Sequence, residues 1–78
     1  MIIRYSSNFA NRLAKLKKKN KLIEKKVDQR LKLLVINPNY PSLRLHKIES
    51  HENTWSISVE ADLRILFVYR DYGILLVS

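Results

Sequence analysis

The chain has 78 residues, with fifteen Lys and Arg against seven Asp and Glu, a net charge of +8, and no cysteine. A chain this short builds one domain, spanning residues 1–78, and buries roughly 60 to 65% of the surface its unfolded form exposes. Without thiols, neither a disulfide framework nor a thiolate metal site can stiffen so small a core. No apolar run approaches the roughly 20 residues that cross a bilayer. Met1 to Tyr5 lacks the successive regions of a signal peptide, so a cytoplasmic protein is expected.

The charge is unevenly placed. Residues 1–36 hold eleven Lys and Arg against Glu24 and Asp28, a net of +9, whereas residues 37–78 hold four against five, a net of −1. A surface of that sign attracts polyanions and releases their counterions on binding. Nucleic acid therefore ranks first as a partner, an acidic protein second and a membrane surface third.

Taken in chain order, Ile2, Ile3 and Tyr5 predict a short strand, and Ser6, Ser7 and Asn8 supply capping side chains for a helix start. Phe9, Leu13 and Leu16 then recur at helical spacing, while Arg12, Lys15, Lys18 and Lys19 turn away to form a basic outer face. Asn20 can cap a second helix, in which Ile23, Val27, Leu31 and Leu34 share one side. Asn37-Pro38-Asn39-Tyr40-Pro41 ends it, because each proline lacks an amide donor and forces the preceding residue out of the α region.

From Leu43 the period drops to two. Leu43 and Leu45 alternate with Arg44 and His46, and Trp55, Ile57 and Val59 alternate with Ser56, Ser58 and Glu60. Ala61-Asp62 and Asp71-Tyr72-Gly73 make tight connections into the last two strands. The predicted architecture is α+β: a short N-terminal strand, a two-helix hairpin, then an antiparallel four-strand meander packed on the helices.

With the apolar faces of the strands on the helices, Arg44, His46, Ser56, Ser58, Glu60 and Arg64 project together from the opposite face. RNA cleavage without a metal needs a base for the 2′-hydroxyl, a cation for charge developing on the phosphate and an acid for the leaving oxygen. His46, Arg64 and Asp62 can supply parts of this set. The outer face of any one-sided sheet is also polar, and Arg64 has an alternative role in a salt bridge to Asp62 or Glu60. Trp55 alternates with inward residues and is expected in the core, and His51 is expected to be exposed. Leu66, Val68 and the apolar run Ile74 to Val77 require a cover over the far side of the sheet.

The stretches Asn37-Pro38, Leu43-Arg44-Leu45-His46-Lys47-Ile48, Trp55-Ser56-Ile57-Ser58-Val59 and Asp62-Leu63-Arg64-Ile65-Leu66-Phe67, preceded by the helical hairpin, resemble the RelE/ParE toxin superfamily along essentially the whole chain. The resemblance points to the RelE and YafQ branches, which are metal-independent ribonucleases acting on ribosome-bound messages. It implies catalytic roles for His46, Asp62 and Arg64. RNA contact is implied for Arg44, Lys47, Ser56 and Ser58 and for Lys15, Lys18 and Lys19 on the first helix. An acidic antitoxin would lie over Leu66 and Val68, operator DNA would be reached only through that antitoxin, and no cofactor, metal or membrane is implied.

The chain departs from the family pattern in two places. Ser58 stands where YafQ-like members carry a second histidine, and Ser56 and Ser58 stand where RelE-like members carry lysines. The family continues past the last strand with a glycine, a histidine or arginine and a terminal aromatic, whereas this chain stops at Ser78. A domain that folds as the family does but cuts RNA poorly is the expectation. A ParE-like inhibitor of DNA gyrase and an inactive antitoxin-binding remnant remain the alternatives.

Overall fold

The computed structural model describes all 78 residues. Strand β1 (Ile2–Tyr5) leads into helices α1 (Ser7–Lys19) and α2 (Ile23–Ile36), and a 3-10 turn over Pro41–Leu43 precedes β2 (His46–Lys47), β3 (Thr54–Glu60), β4 (Leu63–Arg70) and β5 (Gly73–Leu76). The five strands form one sheet in the order β1-β5-β4-β3-β2. β2 to β5 pair antiparallel as expected, and β1 adds in parallel beside β5, with Ile2 opposite Gly73 and Tyr5 opposite Leu76. The sheet is therefore mixed. Local pattern foretells a strand but carries no information on a partner some 70 residues away.

The helical hairpin starts where its caps dictate. Ser6 is extended and its hydroxyl accepts the Phe9 amide at 3.0 Å, satisfying one of the free donors of the first turn. Ser6→Ala should cost about 1 kcal/mol and lower the melting temperature by roughly 4 to 8 °C, a shift that thermal unfolding would read directly. Asn20 ends α1 rather than starting α2, and its Oδ1 accepts the Leu22 amide at 3.0 Å. α2 stops at Ile36, before the Asn37-Pro38 step.

The core lies between the helices and one face of the sheet. Phe9 and Leu13 of α1 and Ile23, Val27, Leu31 and Leu34 of α2 meet Ile57, Val59, Ile65, Phe67, Ile74 and Leu76. Trp55 packs against this cluster and meets Tyr69 edge-to-face at 6.1 Å, in line with its alternation. Leu43 is fully buried but not in a strand: Pro41 opens a helical turn there, and Arg44 follows in the left-handed region at φ 49°. The predicted strand start at Leu43 thus moves to His46, because a buried Leu beside exposed polar residues looks alike in a turn and in a strand.

Candidate functional site

The outer face of the sheet gathers polar groups around Arg64. Register places Ser58 opposite Arg64 on β3 and His46 opposite Ser56 on β2, so these residues share the face turned away from the helices. The Arg64 side chain crosses β3 toward β2. Its Nε donates to Ser56 Oγ at 2.6 Å, and its Nη2 donates to the Arg44 carbonyl at 2.9 Å and lies 3.1 Å from His46 Nδ1. The unusual backbone at Arg44 presents that carbonyl, a conformation that non-glycine residues seldom adopt. From the helix layer, Arg12 Nη1 donates to the Arg64 carbonyl at 3.3 Å.

The guanidinium is therefore fixed along Nε and Nη2, while Nη1 has no protein partner. A fork held on one side and open on the other suits a phosphate oxygen. His46 Nδ1 also lies 3.2 Å from the Arg44 carbonyl. A neutral ring protonated on Nε2 accepts at Nδ1 from Arg64, whereas a ring protonated on Nδ1 donates to the Arg44 carbonyl instead. Its Nε2 stays free in either state, on an exposed side chain.

The residues singled out from the sequence divide. Arg44, His46, Ser56 and Arg64 come together, but Arg44 joins through its backbone. Ser56 is completely buried beneath Arg64, so it holds the guanidinium and has no surface for RNA. Ser58 stays half-buried, its hydroxyl donating to the Glu60 carbonyl at 3.1 Å across the bulge between them. Lys47 alternates to the opposite side from His46. Asp62 lies exposed in the β3–β4 turn and forms no ion pair with Arg64. Glu60 does not pair with Arg64 either, because Lys26 of α2 takes its carboxylate.

Lys15, Lys18 and Lys19 are exposed on α1, on the helix side of the sheet and away from the Arg64 face. Arg12, expected to turn outward with them, is half-buried against β4. Leu66 is half-buried and Val68 only 8% exposed, so neither offers a large apolar surface. Arg30 escaped the sequence reading. It donates to Ser42 Oγ at 2.7 Å and joins Arg44, Ser58 and Glu60 in lining an open groove of about 290 Å³ beside the Arg64 cluster. Its sole sequence signal was membership of the basic half.

No protein-family model matches the sequence, and no curated protein matches it significantly. Solved structures do. The YoeB dimer from Staphylococcus aureus superposes with a TM-score of 0.84 at 19% identity, over 100% of this chain and 92% of that one. The fold is that of the YoeB and YafQ toxins. YafQ from E. coli gives a TM-score of 0.78 at 23% identity, over 97% of this chain and 87% of its own. The E. coli DinJ-YafQ complex gives 0.76 at 22% identity, over 97% and 87%. The α+β architecture expected from the residues and the RelE-like fold implied by the resemblance are thus the observed ones, and no helix is long and apolar enough to cross a membrane.

Proposed function

We propose that this chain is the toxin of a toxin–antitoxin pair and cuts messenger RNA without a metal ion. The observation carrying this reading is the Arg64 guanidinium, held by Ser56 and the Arg44 carbonyl with His46 at 3.1 Å and Nη1 left open. A phosphodiester taken by Nη1 would place its adjacent 2′-hydroxyl toward His46 Nε2. With its own proton on Nδ1, held by the Arg44 carbonyl, the neutral ring accepts the hydroxyl proton at Nε2, the 2′-oxygen attacks phosphorus, and Arg64 balances the charge that builds on the phosphate oxygens. The bond to the 5′-oxygen breaks and that oxygen takes up a proton. Water supplies that proton, directly or relayed by Asp62 in the turn just before Arg64.

The fold shared with YoeB and YafQ, both solved with partners named as antitoxins, supports the pairing. The basic half of the chain suits RNA and the ribosome as partners, and operator DNA would be approached only through the antitoxin. Induced expression in bacteria, with growth followed alongside the integrity of a reporter message, tests the reading. Arrest with cleaved messages is expected, and purified protein should cut equally well in EDTA. Arrest with intact messages and broken DNA would replace this reading with gyrase inhibition. Unhindered growth with intact messages would leave only a binding role.

A further inference from the structure

At the β3–β4 end of the sheet, Arg64 is not the only guanidinium facing open space. β2 pairs with Trp55 and Ser56 alone, so Ser58 to Glu60 of β3 have no strand beside them on that side. The groove of about 290 Å³ fills this gap, bringing Arg30 of α2 together with Ser42 and Arg44 and with Ser58 and Glu60 of β3. It adjoins the Arg64 cluster through two shared residues. Ser58 lies opposite Arg64 in the register, and Arg44 gives its carbonyl to Arg64 at 2.9 Å while its side chain lines the groove.

The arginines of this groove lack acidic partners. Lys26 and Arg30 stand one turn apart on the same face of α2. Lys26 takes the Glu60 carboxylate, and Arg30 donates from Nη1 to the Ser42 hydroxyl at 2.7 Å. Neither Arg30 nor Arg44 forms an ion pair. A solvated surface arginine is commonplace, but these two are held from below. Leu43, fully buried, anchors the 3-10 turn between Ser42 and Arg44. The hydroxyl that receives Arg30 and the backbone that carries Arg44 are thus tied to the core. Arg30 repeats the arrangement at Arg64, with one edge of the fork tethered to a serine and the rest open.

On the ribonuclease reading above, we infer that this groove is a second phosphate subsite, in which Arg30 and Arg44 hold the phosphate next to the one cleaved at Arg64. A single strand supplies anions at regular intervals, and neighbouring guanidinium forks suit successive phosphates. Lys26 offsets the one carboxylate that would repel them. The task of the subsite is alignment: a strand held at a second phosphate cannot slide, so its 2′-hydroxyl stays set against His46. Phosphate contacts carry no sequence information, so the groove adds affinity without base preference.

The test uses the full chain and a short single-stranded RNA carrying 2′-O-methyl groups, which cannot be cut by 2′-hydroxyl attack. Arg30→Gln removes an exposed bond, so circular dichroism should be unchanged while affinity falls about tenfold. The slope of log affinity against log salt should fall by about 0.7, the share of one phosphate contact on a single strand. Arg70→Gln removes the same charge from the exposed far end of β4 and should do neither. A dinucleotide with one internal phosphate, titrated by NMR, should respond to Arg64→Gln and ignore Arg30→Gln. RNA affinity indifferent to Arg30, or equally lowered by Arg70→Gln, would overturn the inference. A dinucleotide sensitive to Arg30→Gln would also overturn it, by placing Arg30 at the cleaved phosphate itself. A polyglutamate peptide that outcompetes RNA and depends on Arg30 would give the groove to an acidic protein. None of these results touches the ribonuclease reading, which rests on reporter messages cut by the unaltered chain. Intact messages there would remove that reading and this inference with it.

Discussion

Replacing Arg64 by glutamine should lower the rate of message cleavage by about a hundred- to a thousandfold, the usual consequence of removing a group that meets charge in the transition state. The side chain has two tasks that a neutral amide cannot combine: it binds Ser56 and the Arg44 carbonyl on one side and leaves Nη1 for the substrate on the other. Arg64→Lys separates the tasks. It keeps a positive charge but loses the planar fork, so it too should fall at least about tenfold. Both variants weaken the partner of the buried Ser56 hydroxyl, which costs about 1 to 3 kcal/mol of stability if left unsatisfied. Single-turnover cleavage of one defined message, measured below each variant's melting temperature, separates lost chemistry from lost fold. Wild-type rates from Arg64→Gln would exclude the guanidinium from the reaction.

The largest effect on folding is expected from one added methyl group. Gly73 sits at φ +144°, where side-chain-bearing residues are strained, and a Cβ there would lie 2.2 Å from the Ile2 carbonyl oxygen and 2.8 Å from its nitrogen. Both are backbone atoms of β1 and have no rotamer by which to retreat. Gly73→Ala should therefore push β1 off β5 and cost about 2 to 4 kcal/mol. A domain of this length has only about 4 to 12 kcal/mol in total, so the melting temperature should drop by roughly 10 to 20 °C. An unshifted transition in scanning calorimetry would mean that the close approach of β1 contributes little to the fold.

The helical hairpin was legible because burial by helices leaves a period: Phe9, Leu13, Ile23, Val27, Leu31 and Leu34, read from spacing alone, are all in the core. Strand β3 was equally plain from alternation, and β4, apolar on both faces, from the turns that bound it. Period fails where one buried residue is shared by two possible conformations, as at Leu43, and it cannot show that Arg44 acts through its carbonyl. The polar face was foreseen as a set of residue types, and His46 and Arg64 do meet. Ser56 and Asp62 were grouped with them by the same logic, yet one is buried and the other stands apart in a turn. The difference lies in where the long Arg64 side chain comes to rest, which depends on three strands at once. The place of β1 at the rim of the sheet was hidden for a related reason, since its partner β5 is distant in sequence.

That pairing also sets a timetable. Within this domain the earliest strand to leave the ribosome is the one whose place in the sheet is made last, because Ile2 cannot bond until Tyr72 and Gly73 have emerged. During synthesis β1 must wait, with Ile2, Ile3 and Tyr5 unpaired, while the helices and the β3–β4 hairpin condense from nearby contacts. Closure of β1 onto β5 then serves as the final latch.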